Sequence, residues 1–305
     1  MAIVQTNTNY TYETMRSNIY ELNKNYPFIQ LQNIGYSVLG RTLPVIKLGQ
    51  GSKHVFYSAS FHANEWITSV VLMKFIEDYC MAYVNNTNLF GYNIRNLFRT
   101  TSIYIMPMVN PDGVNLVTGA YNTNSSIYRS FQSIANNYPR ISFPNGWKAN
   151  FNGVDLNLQF PAGWEQAKKI KYSQGFTSPA PRDFVGYGPL TEPESLAVYN
   201  FTLRNNFRLV ISYHTQGQEI YWNFQNINPP NGYQIGTQFA NASGYTLANV
   251  PFNSSFAGYK DWFIQNYNRP GYTIEAGLGN NPLPISQFHE IYNDNIGILV
   301  LGAIL

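Results

Sequence analysis

Cysteine is nearly absent from this sequence. The single Cys80 among 305 residues excludes an intramolecular disulfide, and its place inside an apolar helical pattern marks a buried thiol. Charge is scarce too, with Asp, Glu, Lys and Arg at 11% where an ordinary soluble domain carries about 25%. Nineteen Lys and Arg against 16 Asp and Glu leave a net charge of +3, and no basic run is longer than Lys168-Lys169. Neither a disordered polyelectrolyte nor a nucleic-acid partner fits that balance. Long apolar runs are missing as well. The longest, Ile296 to Leu305, has ten residues, half of the roughly 20 that span a bilayer, so it reads as the core-packed end of a terminal helix. Residues Met1 to Thr8 lack the charged and apolar regions of a signal peptide. Compartment and oligomeric state are left open. Phosphate-cradling loops, a nucleophile elbow and a His-Glu-x-x-His helix are also absent.

What the chain does have is apolar and aromatic bulk: 44% hydrophobic residues, 24 Tyr and 20 Phe. Helical spacing of Tyr12, Met15, Ile19 and Leu22 predicts a helix from Thr11 to Asn25. Strands follow over 29–34, 42–48 and 55–60, then a buried helix from Trp66 that ends at Asn85-Asn86. Ser102 to Val109 is a further strand, closed by the turn signal Asn110-Pro111-Asp112-Gly113. Between Asn115 and Pro193 periodicity is weak, and a long irregular stretch in a compact domain commonly walls an active site. Helices are expected over 192–205, 233–243, 259–266 and 286–305, and strands over 209–213 and 272–274. Strands alternating with helices predict an α/β fold, a single domain with a mixed, mostly parallel central sheet covered by helices on both faces. Residues 1–9 read as an N-terminal stub or linker and 10–305 as the folded domain.

The candidate chemistry begins at Phe61-His62-Ala63-Asn64-Glu65, directly after the apolar run Val55 to Ser60. A His and a Glu three apart on a tight turn can converge on one cation. Only four histidines exist, so a third ligand must be His54, His214 or His289. His54 opens the strand that His62 follows, about 25 Å away by strand rise. His289 lies in the terminal helix without a strand end beside it. His214 closes the apolar strand Leu209 to Tyr213, and α/β sheets bind ligands at the carboxyl ends of their strands. Glu275 stands at the same kind of place after Tyr272-Thr273-Ile274. His62, Glu65 and His214 are therefore a three-residue zinc set for one Zn2+ ion, with an open position for water and Glu275 as general base and acid. The predicted chemistry is amide hydrolysis. Asp155, in Gly153-Val154-Asp155-Leu156-Asn157, is a candidate to hold the other ring nitrogen of a metal-bound His, though a structural turn Asp fits that sequence as well.

In order and spacing, His62-x-x-Glu65, Asn110 to Gly113, Gly153 to Asn157, the strand ending in His214 and the Glu275 strand resemble the zinc carboxypeptidase family from about Tyr10 to Leu305. Within it, Ile211 to Trp222, Ala257 to Phe263 and Gly271 to Gly277 look most like bacterial γ-D-glutamyl-L-diamino acid peptidases, which cut peptidoglycan stem peptides. The resemblance implies zinc ligation by His62, Glu65 and His214, catalysis by Glu275 and an Asp155 partner for His62. It also implies a muropeptide substrate, cleaved between γ-D-glutamate and meso-diaminopimelate. Removal of C-terminal amino acids, as in ordinary metallocarboxypeptidases, is the alternative reaction. A non-catalytic wall-binding module is the alternative of another class.

The chain departs from the family pattern around the substrate. Where digestive carboxypeptidases follow the Asp-x-Asn motif with an Arg that grips a terminal carboxylate, Asn157 is followed by Leu158; Asn157 itself remains a substrate-binding candidate. Lys148 occupies the position of an oxyanion-stabilising Arg, and Arg182 is the alternative cation. Tyr259, or its neighbour Phe256, stands where many relatives place a catalytic tyrosine. Lys260 falls at the position that reads the leaving residue's side chain, where a cation favours a carboxylate; a solvated helix lysine is the other reading.

Overall fold

A computed structural model describes residues 2–305. Chain order gives ten strands: β1 (Gln30–Tyr36), β2 (Thr42–Leu48), β3 (Lys53–Ala59), β4 (Asn88–Leu89), β5 (Tyr92–Asn93), β6 (Thr101–Met106), β7 (Leu209–His214), β8 (Glu219–Tyr221), β9 (Thr246–Ala248) and β10 (Gly271–Glu275). The helices are α1 (Tyr12–Asn25), α2 (Ile67–Asn85), α3 (Ile94–Thr100), α4 (Pro111–Val117), α5 (Ser126–Ala135), α6 (Trp164–Ser173), α7 (Pro193–Leu203), α8 (Gly232–Ser243), α9 (Tyr259–Tyr267) and α10 (Phe288–Ile304).

Eight strands form one mixed sheet in the order β1-β2-β6-β3-β7-β10-β8-β9, and β4 and β5 make a separate hairpin. At its centre β6, β3, β7 and β10 run parallel, while β1 pairs antiparallel with β2, β2 with β6 and β8 with β10, and the edge strand β9 runs parallel to β8. The parallel strands are buried on both faces, which is why they read as unbroken apolar runs. Alternation along β3 assigns the faces. Val55, Tyr57 and Ala59 join the larger core beneath α1, α2, α8 and α10, whereas Phe56 points the other way, into a second core with α7 and α9.

The expected architecture is present, with differences at the margins. The edge strand β1 is mostly exposed, since only its partner-facing side is covered. Asn110 to Gly113 does more than close a strand: Asn110 caps α4, its Oδ1 accepting from Gly113 N at 3.0 Å, and Pro111 sits in the first turn, where its missing N–H costs nothing. The stretch read as irregular holds α5 and α6, started by a Ser125 cap and by Gly163 at φ +68°. Ahead of α1, Val4 and Tyr10 are buried, and Asn18 Nδ2 donates to Ile3 O at 3.1 Å. Among the described residues no helix is long and apolar enough to cross a membrane. Cys80 is buried and free.

Candidate active site

Because β3, β7 and β10 are adjacent and parallel, their carboxyl ends bring three distant segments together. β3 leads into a short 3-10 turn, Ala63–Glu65, with His62 at its cap. Asn110 ties this turn down: its Nδ2 lies 3.3 Å from Phe61 O, 3.2 Å from Lys148 O and 2.9 Å from Ala149 O. A Cβ on Gly113 would sit 2.6 Å from Ala149 O and 2.7 Å from Ala63 Cβ, so only glycine lets α4 approach so closely. At the other ends, Ala276 N donates to His214 O at 2.8 Å, fixing Glu275 against His214.

The ligand candidates converge. Glu65 Oε1 is 2.9 Å from His62 Nδ1, its Oε2 is 2.9 Å from His214 Nδ1, and the two Nδ1 atoms are 3.2 Å apart. His62 Nε2 lies 3.0 Å from Asp155 Oδ1. With one ring proton directed to Asp155 from Nε2, Nδ1 is the nitrogen turned toward Glu65 and His214, where a metal ion can replace its proton. Ligand atoms around tetrahedral zinc are about 3.3 Å apart, so the set fits that ion. Ligand atoms of His62, Glu65 and His214 all lie within 4.8 Å of one another.

Electrostatics reflect the same crowding. Burial opposes charge on His62, but Glu65 and Asp155 outweigh it and raise its pKa to about 9. Burial also acts on Glu65, where His62, Lys148 and His214 prevail and hold the carboxyl well below its usual range. His214 is lowered, chiefly by burial. Glu275 is pushed up to about 8 by burial and by the nearby Glu65 charge in the metal-free site; a bound cation would draw it back down. Lys148 is raised because Glu65 outweighs its burial.

A cavity of about 540 Å³ opens over these groups, walled by His62, His214, Glu275, Lys148, Arg182 and Lys260 among others. Lys148 Nζ donates to Glu65 Oε1 at 2.9 Å. Arg182, with 41% of its side chain exposed, gives its Nε to Asp183 at 2.6 Å. Asn157 lines the cavity while its Oδ1 accepts from Tyr259 N at 3.0 Å. His54 lies at the far end of β3 beside Tyr104, and His289 is exposed next to Phe288.

Tyr259 corrects an expectation. It is fully buried in the second core, stacked on Phe61, with its hydroxyl 2.9 Å from Thr202 Oγ1, so it cannot meet substrate. Lys260 is no solvated lysine either: it is 4% exposed, and its Nζ donates to Asn223 O at 2.6 Å. Sequence reasoning missed the clamp made by Asn110, and it missed Tyr221, which lines the cavity from the short strand β8. Only the polar break between His214 and Glu219 hinted at that strand.

A doubly covered, mostly parallel sheet with His, Glu, His and a free Glu at its strand ends defines a metal-dependent hydrolase. The zinc carboxypeptidase model matches residues 15–297, and the chain belongs to that family; His62, Glu65 and His214 are the group placed to hold its single zinc ion. It is 45% identical over 303 residues to gamma-D-glutamyl-L-diamino acid endopeptidase 1 of Lysinibacillus sphaericus, covering 99% of this chain and 74% of that protein. Identity is 43% over 278 residues with the uncharacterized protein YqgT of Bacillus subtilis, covering 90% and 72%. The crystal structure of carboxypeptidase A from Helicoverpa armigera shares the fold, with a TM-score of 0.73, 20% identity and 98% and 75% coverage.

Proposed function

We infer that this zinc peptidase hydrolyses the amide between the γ-carboxyl of D-glutamate and meso-diaminopimelate in peptidoglycan stem peptides. The observation that carries the reading is the 45% identity across 99% of the chain to an endopeptidase named for the γ-D-glutamyl-L-diamino acid bond. Supporting it, the cavity wall carries Leu158 directly after Asn157, so the site lacks the adjacent Arg fork that suits a chain-terminal carboxylate.

When bound, zinc supplies a Lewis acid that acidifies water and polarises the amide carbonyl. Glu275 takes the proton from the attacking water and returns it to the leaving amine. Lys148, held by Glu65, faces the negative charge that develops on the carbonyl oxygen, and Arg182 supplies a second cation on the same cavity wall. Asn157, its Oδ1 engaged by the α9 backbone, keeps an amide N–H for the substrate. Asp155 fixes the His62 ring.

The test is digestion of L-Ala-γ-D-Glu-meso-diaminopimelate by the zinc-loaded protein, followed by mass spectrometry. Expected products are L-Ala-D-Glu and free meso-diaminopimelate, and Glu275→Gln should lower the rate by about 10³ with zinc content unchanged. Release of C-terminal residues from α-linked peptides, with γ-linked stems intact, would instead identify an ordinary carboxypeptidase.

A further inference from the structure

A γ-glutamyl amide keeps a free carboxylate on its acyl side, where an α-linked bond has none, and the cavity wall beside Lys148 carries a cation to meet one. Three segments lie side by side there. Asn64 Nδ2 donates to Asn145 O at 3.1 Å and Ala63 N to Lys148 O at 3.0 Å, joining the turn that holds His62 and Glu65 to residues 145–148. On the other edge, Lys148 N and Ala149 N both donate to Pro181 O, at 2.7 and 2.9 Å. Arg182 is thereby set one chain away from Lys148, and Gly146, Lys148, Arg182 and Asp183 all line the cavity.

The charges on this wall do not balance. Lys148 Nζ is taken up by Glu65 Oε1 at 2.9 Å. Asp183 serves two cations: its Oδ2 accepts from Arg182 Nε at 2.6 Å and its Oδ1 from Lys171 Nζ at 2.5 Å, while its backbone N donates to Asp155 Oδ2 at 3.3 Å. Two cations on one carboxylate leave one positive charge over. Lys171 is buried, whereas Arg182 has 41% of its side chain open, so the surplus is presented by Arg182. Its charge lies close enough to act against that of Lys148. With Nε fixed on Asp183, its two terminal nitrogens meet no acceptor among the described residues, and they form a planar set of donors that suits a carboxylate.

We propose that Arg182, held in place by Asp183, binds the free α-carboxylate of the D-glutamyl residue on the acyl side of the scissile bond. With the scissile carbonyl oxygen turned to Lys148, the carboxylate carbon lies four C–C bonds from the carbonyl carbon, about 5 Å when extended. Hydrogen-bonded chains run about 4.8 Å apart, so the reach matches the step from Lys148 to Arg182. In an α-linked peptide the scissile carbonyl sits on the α-carbon itself and no carboxylate comes to this place. Amidation of the carboxyl to isoglutamine keeps the shape but removes the charge that makes a forked pair strong. Lacking an Arg after Asn157, the chain reads a carboxylate that stays with the acyl half of the substrate. The proposal rests on the reading that this cavity cleaves γ-D-glutamyl amides.

Two substrates test it: L-Ala-γ-D-Glu-meso-diaminopimelate, and the same tripeptide with the D-glutamyl α-carboxyl converted to its carboxamide. Wild type should favour the acid by about tenfold or more in kcat/KM, mainly through KM, as expected for a charge-assisted fork. The advantage should shrink as ionic strength rises, because Arg182 is partly exposed. Arg182→Gln should erase it. Equal kcat/KM on the two substrates in wild type overturns the proposal, as does a preference that survives in Arg182→Gln. An equal loss on both substrates through kcat also overturns it and assigns Arg182 to the oxyanion alone. Calorimetry on the zinc-loaded Glu275→Gln protein reads binding without turnover. The acid should bind about tenfold more tightly than the carboxamide, and adding Arg182→Gln should remove that difference; equal binding counts against the proposal. A protein inert on both γ-linked substrates defeats the underlying reading, whereas cleavage without discrimination defeats the carboxylate contact alone.

Discussion

His62 Nε2 and Asp155 Oδ1 meet at 3.0 Å across 93 residues of chain, and that contact decides which imidazole nitrogen is left for the metal. Removing the carboxylate loosens the ring and lowers its basicity. Asp155→Asn should weaken zinc binding 10- to 100-fold, measured by competition with a chelator. Because His62 is raised to about 9 in the metal-free protein, zinc displaces its proton at neutral pH. Apparent affinity should therefore rise about tenfold per pH unit between pH 6 and 8. A flat profile would contradict this protonation.

Lys148 and Arg182 should separate kinetically. Lys148 touches the ligand Glu65 at 2.9 Å, whereas Arg182 is bound to Asp183 and half open to solvent. Lys148→Met is expected to lower kcat by about 10² to 10³, the loss typical of one oxyanion donor. Arg182→Ala should chiefly raise KM. Steady-state kinetics showing the reverse pattern would exchange their roles.

Tyr259 supplies a control on the buried side of α9. Its hydroxyl bonds only Thr202, so Tyr259→Phe should leave kcat/KM within about twofold. The lost hydrogen bond should cost about 1 kcal/mol of stability, read from urea unfolding. A large kinetic defect with little stability loss would return Tyr259 to the reaction.

Away from the site, Glu194 is fully buried, accepts from Val38 N at 3.0 Å, and is raised to about 7, mainly by burial. A raised carboxyl is protonated in the folded state when the unfolded chain has already lost its proton. Its stabilising contribution is full below the ordinary value of 4.5 and is lost as pH rises toward about 7. Glu194→Gln cannot ionise. Relative to wild type it should gain about 3 kcal/mol between pH 4.5 and 7, then stay level. Denaturant curves across that range check the sign.

The metal set was legible because each member follows an apolar run, and four histidines allow elimination by strand position alone. The substrate side was harder to read. Tyr259 and Lys260 are neighbours on a helix buried on both sides, so apolar pattern could not say which faces the core and which the cavity. Tyr221 was hidden because β8 has only three residues, too short for alternation to register. Helices α5 and α6 were missed among Asn, Ser and Gly residues that serve there as caps and turns. Asn110 looked like a turn residue, and its three backbone contacts come from segments remote in sequence.

The adjacency of β3, β7 and β10 also governs when activity can arise. His214 meets His62 and Glu65 across 152 and 149 residues, and Ser58 and Ser212 link β3 to β7 at 3.0 Å. Closing such long loops makes this part of the molecule slow to assemble. Synthesis proceeds from the N-terminus, so a growing chain displays His62 and Glu65 well before His214 and Glu275 exist. The nascent enzyme is thus inert until its final third is made: the ligand set is complete once β7 emerges, but Glu275 arrives only with β10.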